Sequence, residues 1–513
     1  MNGAESLMRT AVAGGIELCF ANPGTTEMPL VAALDVVRGV RPVLGLFEGV
    51  CTGAADGYAR MAGRPALVLL HLGPGLANGI ANLHNARRAR SPVVNLVGDQ
   101  ATWHQAFDAP LGSDIESLAR PVSGWFRTSR SARDLARDFA AALAAATGPP
   151  GQVATLVAPA DCQWETADGP APLPPRPAPR GPGRLVDATA ARLRAARAPA
   201  ILLGAEALGE PGLRAAARAA WASGASLLCE TFPARLERGP GLPRVARLPY
   251  FPEQAAEALA AFDVLVLAGA REPVAFFGYP DGRSRLALPE RIAPLAAPED
   301  DAVCALEALA NALGAAAGPP PTAGAAAPPA PAEGALDPRS LGAVLAALQP
   351  EGAIVVDEGA TSGLPYFLAA TAAPAHSYLA LTGGAIGQGL PCAAGAALAC
   401  PGRKLIALQA DGSALYTLQA LWTLAREGLD VVVVLCANQR YRILQIEMAR
   451  AGVAEPGPAA RALTSLSPPP IDWVALSRSL GVPAARAATA LELSTQLRIA
   501  FAEPGPRLIE AVL

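Results

Sequence analysis

The chain has 513 residues, 52% of them hydrophobic and 17% charged, with a formal net charge of −3. So apolar and weakly charged a composition excludes a disordered chain, and at about 150 residues per domain the length suggests three domains. Of the 41 basic residues only Lys404 is a lysine, and histidines number four, so a lysine Schiff base or phosphate loop would have to use Lys404 and a histidine-rich metal site is not expected.

The eight cysteines form no CxxC pair, which fits free thiols in a reducing cytosol rather than a disulfide framework or zinc site. Glu5 and Glu17 interrupt the start of the chain, which lacks a basic leader, so a cytoplasmic protein is expected. The uncharged stretch 379–401 is broken by glycines and Pro391, which argues against a membrane helix. Arg87, Arg88 and Arg90 are too small a cluster for a nucleic-acid surface.

Proline-rich stretches at 166–184 and 315–338 read as extended linkers and divide the chain into blocks 1–165, 185–314 and 339–513. In the first block, apolar runs at 16–21, 43–47, 66–72 and 93–98 alternate with helical patterns. Asn22-Pro23-Gly24-Thr25-Thr26-Glu27 follows the first run. Glu48 ends the second and precedes the helical segment GVCTGAADGYARMAG; on its own it reads as a partly exposed strand-end carboxylate. His71-Leu72-Gly73-Pro74-Gly75 follows the third, and on its own His71 reads as a structural histidine.

The second block has apolar runs at 200–204 and 263–270, and the third at 353–357, 404–410 and 430–437. Continuous apolar strands separated by helices predict three doubly wound α/β domains with parallel sheets. Thr361 and Ser362 follow the first strand of the third block, where hydroxyls and helix N-terminal amides suit a diphosphate or simply cap a helix. The segment 383–391 (GGAIGQGLP) has the wrong glycine spacing for a dinucleotide fingerprint, which disfavours a nicotinamide-dependent oxidoreductase.

The strand over 404–410 ends at Asp411-Gly412-Ser413, a helix is predicted over 414–427, and the next strand ends at Asn438-Gln439-Arg440-Tyr441. This crossover puts Asp411 and Asn438 at the carboxyl edge of one sheet, where ligands bind in open α/β folds. A carboxylate, an amide oxygen and a loop carbonyl suit Mg²⁺; an Asp-Gly turn and a capping asparagine are the plainer alternative.

Together these segments resemble the thiamine-diphosphate (ThDP) enzymes, above all the acetolactate synthase catalytic subunit and benzoylformate decarboxylase. The resemblance runs over nearly the whole chain as pyrimidine-binding, central and diphosphate-binding blocks. The GDG…NN signature reads here Ala410-Asp411-Gly412 and Ala437-Asn438, with 27 positions from Asp411 to Asn438. It implies Asp411, Asn438 and the Arg440 carbonyl as Mg²⁺ ligands. EGVCTGAADGYAR resembles the catalytic-glutamate segment, so Glu48 would meet the cofactor's pyrimidine and promote the tautomer that deprotonates its thiazolium.

Asn22, Pro23, Gly24, Thr361, Ser362, Gly384, Ile386, Gly412, Ser413 and Tyr441 are then expected at the cofactor, with Ile386 beneath the thiazolium. Thr25 and His71 join Glu48 as catalytic residues. His71 matches a decarboxylase histidine, whereas Val274–Tyr279 offers only aromatics where a second would stand. The middle block shows no flavin-binding features. The resemblance implies decarboxylation of a small 2-oxo acid, followed by protonation to an aldehyde or addition to a second carbonyl. It also implies a homodimer or homotetramer with sites between subunits, and leaves open a catalytically silent relative with a regulatory or scaffold role.

Overall fold

The computed structural model describes residues 1–175, 177–181, 183, 185–280, 282, 284–316 and 334–513. Most of the predicted linker 315–338, and positions 176, 182 and 184 of the other, lie outside the described residues. Two compact units result. One takes in Met1–Arg176, Pro328–Ala373 and Leu381–Leu513, the other Pro177–Ala327 and Pro374–Ala380, as far as those residues are described.

Three parallel α/β sheets form the framework, as expected. The first runs, edge to edge, Arg41–Leu44, Leu18–Ala21, Ala66–His71, Val93–Asp99, Val153–Pro159, Trp125–Thr128. Its inner strands are mostly apolar because both faces are covered: Leu67 and Leu69 enter one core with Phe139, Val68 and Leu70 the other with Tyr58. The buried Asn95 donates to Thr155 Oγ1 at 3.1 Å. In the second unit the parallel order is Ala246–Arg247, Ser226–Cys229, Pro199–Leu203, Val264–Ala268, Ile292–Ala296. That unit also pairs Leu236–Arg238 antiparallel with His376–Ala380. The five parallel strands of the C-terminal part run Ala484–Ala487, Arg507–Val512, Val431–Ala437, Leu405–Ala410, Ala353–Glu358.

Several sequence expectations are corrected. The strand expected at 43–47 is Arg41–Leu44, an edge strand, and Glu48 is the first residue of the helix Glu48–Ala62 rather than the end of a strand. The single helix expected at 414–427 is two short ones, Asp411–Ala414 and Ala420–Arg426. Between them Thr417 turns inward and donates its hydroxyl to the Gly387 carbonyl at 2.8 Å. The last block's first helix starts at Pro338, because Asp337 caps it and proline suits a first turn.

The stretch 379–401 contains a strand end, a loop and the eleven-residue helix Gly389–Ala399, and no helix among the described residues is long and apolar enough to cross a membrane. That helix crosses Glu48–Ala62 at backbone contact: a side chain at Gly57 would lie 2.0 Å from the Cys392 carbonyl oxygen. This close crossing carries the loop 383–388 to the first block.

Candidate active site

Two strand ends of the first sheet meet in one polar cluster. His71 closes Ala66–His71, paired in register with Gly98. Its Nδ1 lies 2.8 Å from Glu27 Oε2 and 3.2 Å from Thr26 Oγ1. Glu27 has no exposed surface; it also accepts the Gly24 N–H at 2.8 Å and the Thr26 hydroxyl at 2.5 Å. Burial of a carboxylate is costly, and these donors with the imidazole offset that cost. Of the predicted residues, Asn22, Pro23 and Gly24 are half-buried in the loop leading to Glu27, and Thr25 is exposed. The contacts with His71 and Glu27 are made by Thr26, not Thr25.

Glu48 stands beside this cluster. It is 9% exposed, and its Oε2 accepts from Asn78 Nδ2 at 3.0 Å. A methyl group placed at Gly75 would lie 3.3 Å from Glu48 Oε1 and 3.4 Å from His71 Cβ, so the two side chains flank one glycine.

The loop 383–388 is held on both sides. Glu358 ends the strand Ala353–Glu358 and accepts from the backbone N–H groups of Gly387, Gln388 and Gly389 at 2.7, 3.1 and 2.8 Å, and from Gln409 Nε2 at 2.7 Å. Burial still pushes the Glu358 carboxyl above the ordinary range, against the pull of those four donors. The loop's carbonyls face donors of the first block: Asn82 at Gly387, Asn85 at Ala385 and His84 at Gly383. Deeper down, Arg60 and Asp56 form a buried two-point ion pair, from Nε to Oδ1 at 2.9 Å and from Nη2 to Oδ2 at 2.6 Å. Arg60 also donates to Thr382 Oγ1 at 2.9 Å, and Gln388 Nε2 donates to Asp56 at 2.5 Å. Gly384 is exposed and Ile386 half-buried on this clamped loop.

At the carboxyl edge of the last sheet, Leu405–Ala410 and Val431–Ala437 are neighbours, with Ala410 opposite Cys436. Asp411 is 2% exposed and takes the Gly412 N–H at 2.8 Å and the Gln439 N–H at 2.6 Å. The Asn438 amide oxygen accepts the Arg440 N–H at 3.0 Å. Tyr441 packs against Gly412, where a side chain would meet its ring at 2.5 Å. Ser413 is buried. Ser362 is buried and its hydroxyl makes no helix-capping hydrogen bond, while Thr361 is half-buried at the loop surface. The aromatic stretch Val274–Tyr279 lies in the second unit, where Phe276 joins Phe232 and Tyr250 at ring distances of 5.6 and 5.2 Å.

Residues 1–118 match the description "Thiamine pyrophosphate enzyme, N-terminal TPP binding domain", and residues 362–511 its C-terminal TPP binding domain. A Mycobacterium tuberculosis protein named "Putative acetolactate synthase large subunit IlvX" is 51% identical over 100% of this chain and 99% of its own length. The chain belongs to the thiamine pyrophosphate enzyme family.

This thiamine pyrophosphate enzyme is also 31% identical to benzoylformate decarboxylase of Pseudomonas aeruginosa, over 97% of this chain and 96% of that protein. Among solved structures, the ThDP-dependent 4-hydroxybenzoylformate decarboxylase of Rhodococcus jostii superposes with a TM-score of 0.87 at 26% identity, covering 100% of this chain and 99% of its own.

The donor set at Asp411 fits a cation. Burial raises the Asp411 carboxyl above its usual range, and among the described residues no basic side chain pairs with it. Asp411, the Asn438 amide oxygen and the Arg440 carbonyl, which also accepts the Arg442 N–H at 3.0 Å, are hard oxygen atoms of the kind that suit Mg²⁺. Among the described residues no three His, Cys, Asp or Glu side chains gather as a metal site, so a cation bound here would rely on amide and carbonyl oxygens as well.

In the sequence Glu27 stands inside the motif Asn22–Glu27 without a task, and Glu358, Asn78, Asn82 and Asn85 do not stand out as site residues. Spacing of the three asparagines along one face of an apolar helix was the available signal.

Proposed function

We propose that this chain is a cytoplasmic ThDP- and Mg²⁺-dependent lyase that decarboxylates a 2-oxo acid, as a homodimer or homotetramer whose sites lie between subunits. The placement of Glu48 and His71 on either side of Gly75 carries the reading. It puts a buried carboxylate and a titratable imidazole within reach of one small volume, the pairing that general acid–base chemistry needs. When bound, ThDP would supply the nucleophilic carbon and the electron sink.

The protein's part is positional and electrostatic. Glu48 holds and exchanges a proton at the cofactor's pyrimidine nitrogen, oriented by Asn78. His71, fixed through Nδ1 by Glu27, turns Nε2 toward substrate and delivers or removes a proton at the reacting carbon or its oxygen. Asp411, Asn438 and the Arg440 carbonyl would hold Mg²⁺, with Gly412, Ser413, Thr361, Ser362 and Tyr441 around the diphosphate. Ile386 on the clamped loop would lie under the ring system and help to exclude water. Delivery of a proton by His71 favours release of an aldehyde.

A second reading, carboligation to a 2-hydroxy-2-methyl-3-oxo acid, is favoured by the 51% identical relative with acetolactate synthase in its name. Incubation with ThDP, Mg²⁺ and a panel of aliphatic and aromatic 2-oxo acids separates the two, with CO₂ and organic product measured together. Aldehyde supports the first reading, a ligated product the second. No CO₂ from any 2-oxo acid removes both.

A further inference from the structure

The helix Leu72–Ala89 carries asparagines at 78, 82 and 85, spaced four and three apart, so all three share one face. Each makes a different connection. Asn78, at the exposed end, donates to the Glu48 carboxylate at 3.0 Å. Asn82, 3% exposed, donates through one Nδ2 to the Gly49 carbonyl at 2.8 Å and to the Gly387 carbonyl at 3.2 Å. Asn85, with no exposed surface, gives Nδ2 to the Ala385 carbonyl at 2.8 Å and to Asn82 Oδ1 at 3.1 Å, and its Oδ1 accepts the Ala385 N–H at 3.2 Å.

Carboxamides suit this task because each offers two donor hydrogens and an acceptor on a short, stiff side chain. The Gly387 carbonyl also takes the Thr417 hydroxyl at 2.8 Å, and the Gly49 carbonyl belongs to the helix Glu48–Ala62, so Asn82 adds a second donor at each and thereby ties the two carbonyls to one side chain. Apolar helix–helix packing alone would favour alanine or leucine at 82 and 85. A connected network of satisfied amides instead specifies one geometry.

We propose that Asn78, Asn82 and Asn85 form a positioning ladder that sets the Glu48 carboxylate and the loop 383–388 to one another, with Asn82 as the joint. The inference rests on the reading of Glu48 and the loop given above. It holds whether the two ends face one cofactor or, as the proposed oligomer requires, the cofactors of neighbouring sites. Asn82 touches no reacting atom; it acts through Gly49 and Gly387.

Two readouts separate the ends: ThDP affinity by titration calorimetry reports the loop, and deuterium exchange at C2 of bound ThDP reports Glu48. Asn85→Ala should weaken affinity about tenfold and spare C2 exchange, whereas Asn78→Ala should slow C2 exchange about tenfold and spare affinity. Asn82→Ala should do both. Asn82→Asp, which keeps the shape but lacks the donor hydrogens, repeats the test should the alanine variant fold poorly.

In the cofactor-free wild-type protein, amides of 385–389 should already be protected from hydrogen exchange. Free-peptide exchange rates there, or an Asn82 variant that changes one readout or neither, would overturn the ladder. If Glu48→Gln also leaves C2 exchange at the wild-type rate, the reading beneath the ladder falls with it. A slowed Glu48→Gln beside an unaffected Asn82 variant removes the ladder alone.

Discussion

His71 Nδ1 and Glu27 Oε2 lie 2.8 Å apart, and Glu27 is wholly buried. The carboxylate fixes which ring nitrogen faces inward and leaves Nε2 for the site. His71→Ala should lower turnover about a hundredfold, the ordinary contribution of one general acid–base group. Glu27→Gln keeps the volume and an oxygen for Gly24 but loosens the imidazole, and should cost about tenfold in kcat with little change in KM. Steady-state kinetics of the two variants checks the order; a Glu27→Gln enzyme at full kcat would separate the pair from the chemistry.

Asp411 is the single carboxylate of its proposed cation site. With ThDP and Mg²⁺ at a hundredfold over their dissociation constant, the wild-type protein should gain about 3 kcal/mol of stability. Asp411→Ala should gain none from Mg²⁺. Thermal melts with and without Mg²⁺ and EDTA measure the difference.

Glu358 offers a pH signature. Burial raises its folded-state pKa above its unfolded value, so the folded protein holds the proton more tightly. The stability this contributes is fully present below the ordinary glutamate range, about 4.3, and is lost as pH rises through the raised value. Urea midpoints of the wild type relative to Glu358→Gln should therefore fall as pH rises from about 4 and level off only above the raised folded-state value.

The cysteines should be largely silent. Burial pushes the thiols of Cys19, Cys162, Cys229, Cys392 and Cys436 up to about 12, and Cys51 is raised further. Only Cys304 and Cys400 are partly accessible. Brief alkylation of the native protein near neutral pH, read by mass spectrometry, should label those two and leave the other six for the unfolded chain.

The three sheets were legible because strands buried on both faces, such as Val431–Ala437, leave unbroken apolar runs. Asp411 and Asn438 were legible for a related reason: parallel strands joined by one crossover end on the same edge. The break between Ala414 and Ala420 was not, since the apolar spacing there continues through Thr417, whose inward hydroxyl finds a carbonyl thirty residues away. Arg41–Leu44 was misplaced because an edge strand that begins with the exposed Arg41 and Pro42 does not stand out from the apolar residues after it. Pairings such as Glu27 with His71 and Glu358 with the 387–389 amides join residues distant in sequence, and only the strand order brings them together.

The central claim is that Glu48 drives ThDP-dependent cleavage of a 2-oxo acid. Its most direct test compares wild-type protein and Glu48→Gln, both loaded with ThDP and Mg²⁺, for CO₂ release from the best 2-oxo acid of a panel. Glu48→Gln should bind ThDP within about threefold of wild type and lose at least about a hundredfold in turnover. Turnover equal to wild type in the loaded variant would contradict the account.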